Sequence, residues 1–205
     1  MPTAVVQPRP LAAAILSAGA SRRMGSPKAL LSYRGGTFLE HLLEVTQHPR
    51  VGITCVVLGA HVEEIRRLLS GYRASVVVNA EWQKGQLSSV QAAIRSLPAD
   101  RTEGLILCPV DHPLISEAVV AALIEAFDAS RKSIALPLFR GRRGHPVIFR
   151  STLYDELLRA PPQVGARQVV WAHAHDIVEV STEEEGVILN LNDLEDLKQA
   201  VRRKD

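Results

Sequence analysis

Short apolar runs alternate along the chain with segments whose apolar residues recur at helical spacing. The first run, Leu11–Leu16, has the length of a buried strand, and similar runs occur at 53–58, 75–78, 104–108 and 133–139. Between them, the apolar positions 62, 65, 68 and 69 follow the period of a helix that Gly71 ends. This alternation predicts an α/β fold with a mostly parallel sheet and helices on both faces.

Local signals place further elements. Thr37 and Glu40 form a capping box for a helix to about Val45, and Ser116 caps a helix to about Phe127. We expect helices also at 90–97, 151–158 and 164–172, extended segments at 146–149, 177–180 and 187–189, and a final helix from Asn192 to Val201.

Composition narrows the function classes. The 205 residues are 46% apolar and 22% charged, and the formal net charge is only +2, which gives no reason to expect nucleic acid or a membrane as partner. Residues 1–10 do not resemble a signal peptide and are predicted to be a flexible N-terminal extension, followed by one domain over 11–205. We therefore expect a cytoplasmic protein, with Cys55 and Cys108 as core residues.

Ligands of parallel α/β sheets bind beyond the carboxyl ends of the strands. The most informative of these segments reads Leu16-Ser-Ala-Gly-Ala-Ser-Arg-Arg-Met-Gly-Ser-Pro-Lys28. Its small residues allow backbone N–H groups to approach phosphate oxygens, and its cations offset the charge of a triphosphate. The spacing is neither that of a P-loop nor that of a dinucleotide-binding loop. The alternative is a solvent-exposed basic turn. The predicted nucleotide-binding residues of this loop are Leu16, Ser17, Ala18, Gly19, Ala20, Ser21, Arg23 and Lys28.

Asp111 follows the strand at 104–108, in a turn bounded by Pro109 and Pro113. A carboxylate at this edge of the sheet is suited to hold the Mg²⁺ that nucleotidyl transfer requires. The alternative is that Asp111 only caps the turn. His112 is interpreted as a neighbour of the site, because Mg²⁺ prefers oxygen ligands.

Three further segments follow predicted strands. Asn79, at a strand end, could read a base or a ribose. Gly85, Ser88 and Ser89 belong to a polar loop before a helix that is also predicted to bind the nucleotide, and the two serines could donate to it or simply cap the helix. Arg140-Gly-Arg-Arg-Gly-His145 could bind the anion of a second substrate or be a solvated hairpin turn. Asn190 and Asn192 could supply neutral metal ligands, with Asn192 as a helix cap the alternative.

The segment Leu16–Lys28, here called the opening loop, resembles the signature of the MobA-like nucleotidyltransferases, L-A-A/G-G-x-S-x-R-M-G-x-x-K. Asn79 with Gly85, Ser88 and Ser89 is similar to the segment N-x-x-W-x-x-G-x-x-S-S, and Pro109–Leu114 to the metal-binding aspartate turn of the family. The segments Gly144–Phe149 and 165–167 resemble the branch that transfers cytidylyl groups to the molybdenum cofactor. The likeness extends over nearly the whole chain after residue 10.

This resemblance implies a Rossmann-like three-layer αβα sandwich and Mg²⁺-dependent transfer of a nucleoside monophosphate with release of pyrophosphate. The catalytic residues would be Arg23, Lys28 and Asp111, the metal ligands Asp111 and Asn190, and the acceptor-binding residues Arg143 and His145. Ala18 matches the cytidylyl branch, whereas Asn190 matches the guanylyl branch and stands where the cytidylyl branch has a second aspartate. Nothing in the sequence explains Ser17, which replaces the usual alanine.

Because Ala18 would narrow a base pocket, CTP is the expected nucleotide. The resemblance to the cytidylyl branch implies that the phosphorylated acceptor is the molybdopterin cofactor. The alternatives are GTP, a sugar or polyol phosphate as acceptor, and a non-catalytic protein that delivers the cofactor to a client molybdoenzyme. No general base is required for this chemistry, since a phosphate nucleophile is ionised near neutral pH.

Overall fold

The computed structural model describes residues 8–98, 100–192 and 195–196. The strands are β1 (Leu11–Ser17), β2 (Ser32–Tyr33), β3 (Gly36–Thr37), β4 (Val51–Leu58), β5 (Ser75–Val78), β6 (Gly104–Pro109), β7 (Ile134–Phe139), β8 (Arg142–Arg143), β9 (Val147–Arg150) and β10 (Ile177–Ser181). The helices are α1 (Phe38–Val45), α2 (Val62–Leu68), α3 (Gln86–Ser96), α4 (Glu117–Ser130), α5 (Tyr154–Arg159) and α6 (Arg167–Ala172).

The main sheet has the strand order β10-β7-β9-β6-β1-β4-β5, with β8 paired to β7. Strand β1 lies between β4 and β6 and runs parallel to both, and β5 and β10 also pair with parallel neighbours. Strand β9 runs antiparallel between β6 and β7. The predicted mostly parallel, mixed sheet is therefore confirmed.

Helices cover both faces of this sheet. Leu11, Ala13 and Ile15 of β1 belong to one core cluster, which also contains buried residues of α1, α2 and α4. Ala12, Ala14 and Leu16 belong to a second cluster with residues of α3, α5 and α6. Because alternate residues of a strand point to opposite faces, the continuous apolar run of β1 fills both cores. The three-layer αβα prediction is confirmed.

Most predicted elements are present with small shifts at their ends. The capping box of α1 is formed in both directions, with Glu40 N 3.2 Å from Thr37 Oγ1 and Thr37 N 2.8 Å from Glu40 Oε2. Ser116 accepts a hydrogen bond from Val119 N and caps α4, as predicted. The short β2–β3 hairpin was not predicted, because two-residue strands carry no periodic signal.

The strand predicted at 187–189 is wrong. Residues Glu185–Ile188 form a 3-10 turn. Val187 is buried and its carbonyl accepts a hydrogen bond from His145 N. The apolar pattern here reports burial between two loops, and no strand partner exists in the part of the chain that the structure describes. The predicted final helix extends into residues outside the described ranges, as does most of the predicted N-terminal extension.

Candidate functional site

The loops that follow β1, β5 and β6 meet the segment 190–192 at the carboxyl ends of the parallel strands. They enclose a first cavity of about 590 Å³. Its lining includes residues from all the segments that were expected to converge: Leu16, Ala18, Gly19, Ser21, Arg22, Arg23, Lys28, Trp82, Gln83, Gly85, Gln86, Ser89, Pro109, Val110, Asp111, His112, His145, Asn190 and Asn192.

The opening loop folds back toward the sheet after β1. Ser21 adopts a left-handed conformation (φ 50°), and its side chain accepts a hydrogen bond from Lys28 N at 3.0 Å. A 3-10 turn over Arg22–Met24 buries Met24 in between and leaves Arg22 and Arg23 exposed. The chain therefore returns Lys28 to the strand edge, where Arg23 and Lys28 line the same cavity.

Residues 59–61, which follow β4, hold this loop from behind. Ala60 N donates to Ala18 O at 2.9 Å, and His61 Nε2 lies 3.2 Å from Ala20 O. Gly59 leaves no space for a side chain, because a Cβ there would lie 2.5 Å from Trp82 and 2.7 Å from Ala18 O. Sequence reasoning missed Gly59, although its place directly after a parallel strand was a signal that could have pointed to it.

Lys28 connects the first loop to the other end of the chain. Its Nζ lies 3.8 Å from Asp111 Oδ2 and donates to Asn192 Oδ1 at 3.3 Å. Burial lowers the pKa of Lys28 from that of a free lysine, with the charge of Asp111 opposing the shift and that of Arg23 adding to it. Leu191 N donates to Asp111 O at 2.8 Å, which places Asn190 and Asn192 beside the aspartate turn.

Asn79 is buried and satisfied by protein groups. Its Nδ2 donates to Ser88 Oγ at 2.8 Å and to Ser89 Oγ at 3.1 Å, and its Oδ1 accepts from Glu81 N at 2.9 Å. The alternative that a serine caps the helix is wrong, because α3 begins at Gln86 with Gly85 at its N-cap. Both serines lie inside the first turns of α3, and Asn79 ties them to the end of β5.

Gly85 shapes the wall between the opening loop and α3. Its φ of 106° is one that side chains rarely allow, and it lets the chain turn directly into the helix. The first residue of α3, Gln86, therefore lines the cavity together with Gly85 and Ser89. Trp82, in the 3-10 turn Trp82–Lys84, lies on the same side and packs against Gly59.

Two buried histidines lie at the back of the cavity. The rings of His112 and His145 are 4.7 Å apart between centroids, and among the described residues neither Nδ1 atom has a hydrogen-bond partner. Burial lowers the pKa of His145 to about 3, and the neighbouring His112 adds to the shift. Burial also lowers the pKa of His112, an effect that Asp111 opposes and Lys28 increases. Both imidazoles are therefore neutral near pH 7.

A second cavity of about 630 Å³ adjoins the first. The two share five lining residues: Leu16, Gly85, Gln86, Pro109 and His145. Beyond this shared wall the second cavity is bordered by apolar residues of the sheet and α3, and by the 162–171 segment. Arg143 lies at its rim, where its Nε donates to Glu179 Oε1 at 2.7 Å.

Most residues predicted for the site thus line one of two adjoining cavities. Those that do not line either are Ser17, Ala20, Asn79 and Ser88. Ser17 is a buried β1 residue, and Ala20 contributes its carbonyl to His61. Residues of the first cavity that sequence reasoning did not assign to it are Arg22, Trp82, Gln83, Gln86, Pro109 and Val110. His112, predicted as a neighbour of the site, and Asn192, predicted as a metal ligand or a helix cap, line the same cavity.

The same chain matches a family model over residues 13–177, that of the MobA-like NTP transferase domain. The chain belongs to the MobA-like NTP transferase family. This match includes both loops that carry Lys28 and Asp111, and it confirms the family resemblance. The protein is accordingly a nucleotidyltransferase.

Relatives within and around this family carry different names. A nicotine blue oxidoreductase from Paenarthrobacter nicotinovorans is 31% identical, over 84% of this chain and 88% of its own. The molybdenum cofactor cytidylyltransferase of Escherichia coli (strain K12) is 26% identical, over 92% of this chain and 94% of its own. This chain thus resembles a protein named a cytidylyltransferase over almost its whole length.

Solved structures agree with the fold. The crystal structure of Rv0371c from Mycobacterium tuberculosis H37Rv superimposes with a TM-score of 0.81 at 25% identity, over 95% of this chain and 98% of that chain. A complex of Rv0371c with manganese superimposes with a TM-score of 0.76 at 23% identity, over 95% and 99% of the two chains. In this transferase, no helix within the described residues has the length and apolar character needed to cross a membrane.

Proposed function

We propose that the protein transfers CMP from CTP to the terminal phosphate of the molybdopterin form of the molybdenum cofactor, with release of pyrophosphate. The observation that supports this proposal is the pair of adjoining cavities that share Leu16, Pro109 and His145. The first cavity carries cations and oxygen ligands, and the second is bordered by apolar side chains. Two substrates bound on either side of a common wall have their reacting groups next to each other.

The nucleotide would occupy the first cavity. Arg22, Arg23 and Lys28 are the cations that line it, and they suit the charge of a triphosphate. Gly19 and Ser21 bring the backbone of the opening loop to the same cavity. Of the remaining predicted nucleotide ligands, Ser89 and Gly85 line the cavity, whereas we now assign Asn79 and Ser88 to positioning α3, because their side chains bind each other.

The preference for CTP rests on Ala18. This residue is only 6% exposed and lines the first cavity. Its carbonyl is held by Ala60 N and lies against Gly59, so the loop has little room to retreat. A methyl group on a fixed backbone leaves less space than a glycine would, which favours a pyrimidine over a larger purine. The E. coli relative named a cytidylyltransferase is consistent with this choice.

A divalent cation fits the oxygen donors of this site. Asp111 provides a carboxylate, and Asn190 and Asn192 provide amide oxygens in the same cavity. No group of three or more acidic, histidine or cysteine side chains in the described ranges could hold a metal by itself. Mg²⁺ commonly binds through one or two carboxylates together with substrate phosphates, so this small donor set is suited to it. Bound there, Mg²⁺ would offset negative charge on the phosphates.

The side chains of the protein bring the two anions together. In the proposed reaction an oxygen of the acceptor phosphate attacks the α-phosphorus of CTP, and the bond from that phosphorus to the β-phosphate oxygen breaks. The leaving pyrophosphate carries away the electron pair, and Lys28 and Arg23 stabilise its charge. Lys28 is held by Asp111 and Asn192, which fixes its ammonium group at the strand edge. His145, in the shared wall, and Arg143 would bind the acceptor.

Other acceptors and nucleotides define the alternatives. GTP could replace CTP, a sugar or polyol phosphate could be the acceptor, or the protein could deliver the cofactor to a molybdoenzyme without catalysis. The name of the Paenarthrobacter relative adds a redox reaction to this set. Asp111, Lys28 and two amide oxygens around one cavity favour phosphate chemistry, because they are the groups that bind a triphosphate and its cation.

Pyrophosphate release tests the proposal directly. Purified protein is incubated with Mg²⁺ and either CTP or GTP, with molybdopterin cofactor, glucose 1-phosphate or no acceptor, and the products are separated chromatographically. We expect pyrophosphate and a cytosine dinucleotide only with CTP and the cofactor. Release with the sugar phosphate alone, a guanine product, or binding without release would each overturn the assignment in favour of the corresponding alternative.

A further inference from the structure

An exposed tryptophan lies at the mouth of the second cavity. Trp171, near the end of α6, is 62% exposed, and within the described ranges the other large apolar side chain with such exposure is Val78, which is not aromatic. Its helix is anchored by Val169, which is buried in the core. The indole is therefore exposed although its helix packs against the core.

The surroundings of Trp171 differ from those of the first cavity. Leu136, Val147 and Phe149 line the second cavity from the sheet, and Leu87 and Val90 line it from α3. Of the cations at its rim, Lys84 is paired with Glu81 and Arg143 with Glu179. Much of the positive charge near this cavity is therefore already offset. Its walls therefore suit the flat, apolar part of a ligand better than they suit a second polyphosphate.

Arg167 adds a further constraint on the indole. Its guanidinium carbon lies 5.5 Å from the centre of the Trp171 ring, and its Nε donates to Val164 O at 3.2 Å. The guanidinium is attracted to the face of the ring, and this contact favours one orientation of the indole. An indole held in one orientation and largely open to solvent is a prepared surface on which a planar ring can stack.

We infer that Trp171 is a specificity-determining residue, on which a planar, fused-ring heterocycle of the acceptor stacks. This inference rests on the proposed function, in which the second cavity holds the acceptor. The stacked ring lies at the mouth of the cavity, and the phosphate of the acceptor extends along the cavity to the shared wall at His145. An acceptor that lacks a planar ring forms no such contact and binds more weakly.

The chain contains two tryptophans, and each lines a different cavity. In Trp82→Phe protein all indole fluorescence comes from Trp171, and in Trp171→Phe protein it comes from Trp82. We use pterin-6-carboxylate as the fused-ring probe and glucose 1-phosphate as the probe without a ring. We expect pterin-6-carboxylate to quench the fluorescence of Trp171 and glucose 1-phosphate to leave it unchanged. Trp171→Phe protein, titrated in parallel, corrects for light absorbed by the probe.

Calorimetric titration of pterin-6-carboxylate into the unsubstituted protein and into single variants at Trp171 measures how much stacking contributes to affinity. Base–aromatic stacking typically contributes enough to change affinity by about 5-fold or more, so Trp171→Ala should weaken pterin-6-carboxylate binding at least that far and Trp171→Phe less. Equal affinity of Trp171→Ala and unchanged protein would overturn the inference, as would equal quenching of both tryptophans. Either result leaves the proposed function standing. Conversely, Trp171-dependent binding without CMP transfer would contradict the proposed function and leave this inference intact.

Discussion

Gly59 lies against two residues that line the first cavity, Trp82 and Ala18. A Cβ at this position would lie 2.5 Å from Cβ and Cγ of Trp82 and 2.7 Å from the carbonyl oxygen of Ala18. In Gly59→Ala protein these groups must separate by about 1 Å to reach ordinary van der Waals distance. The carbonyl belongs to backbone that Ala60 N also holds, so the added methyl group displaces Trp82, the opening loop or both.

The size of the effect follows from the cost of overpacking. Inserting a methyl group into a packed region typically costs about 1–3 kcal/mol. We expect the free energy of unfolding to fall by about that amount. In the proposed function CTP binds to the opening loop in its original position and therefore works against the same strain, which should raise the dissociation constant for CTP by about 5- to 150-fold.

Denaturant unfolding and calorimetric titration of CTP measure the two effects, and the emission of Trp82 in a Trp171→Phe background reports the local displacement. Gly71→Ala is the matched control, because nothing lies within 4 Å of the added Cβ and no positive φ is required. It should change stability by no more than about 0.5 kcal/mol. Normal CTP affinity in Gly59→Ala protein, despite lower stability, would refute the argument that packing at residue 59 positions the opening loop for CTP.

Further predictions concern the metal, the buried histidine and the ion pair between Arg50, just before β4, and Asp128 of α4. Asp111→Asn should abolish pyrophosphate release while CTP still binds in the absence of Mg²⁺. The substitution leaves the hydrogen bond from Leu191 N to the backbone carbonyl of residue 111 in place, so the segment 190–192 should keep its position. Turnover at the original rate would contradict the metal assignment. His145 has a pKa of about 3 in the folded protein, below its unfolded value, so its contribution to stability is complete above pH 6.5 and lost as the pH falls toward 3. Denaturant unfolding at several pH values below 6.5 should give a slope to which His145 contributes up to about 1.4 kcal/mol per pH unit, so the slope should be smaller in His145→Asn protein. Burial also lowers the pKa of His112, which is present in both proteins, so identical slopes would contradict the neutral buried state of His145. Arg50 binds Asp128 through two nitrogens, so Arg50→Ala should lower the free energy of unfolding by about 1–3 kcal/mol without changing CTP affinity, and an unchanged denaturation midpoint would count against this.

The parts of the fold predicted from sequence are those whose signals are local. The run Leu11–Leu16, the capping box at Thr37 and the cap at Ser116 each depend on residues a few positions apart, and all are present. The strand predicted at 187–189 failed because an apolar pattern reports burial and not backbone conformation. Val187 is buried between loops, a contact that depends on residues more than 40 positions away.

The candidate site follows the same division. The rule that ligands bind beyond the carboxyl ends of parallel strands was sufficient to bring Lys28, Asp111 and Asn190 into one cavity. It could not indicate that the side chain of Asn79 donates its hydrogen bonds to Ser88 and Ser89, because these contacts depend on the turn that Gly85 allows. Likewise, the support that Gly59 gives to the opening loop is a packing constraint, and a glycine after a strand does not reveal which atoms lie against it.

The opposing signals for nucleotide choice act at separate points of the cavity. Ala18 is held through its carbonyl by the loop after β4, whereas Asn190 adjoins Leu191, which is held by the aspartate turn after β6. The two residues therefore depend on different backbone contacts, and a change at one does not require a change at the other. An amide in place of a carboxylate at position 190 alters the charge near Lys28 and Asp111, and hence cation binding. A methyl group at position 18 alters space. Only the second property distinguishes a pyrimidine from a purine by size, so Ala18 carries more weight for CTP than Asn190 carries against it.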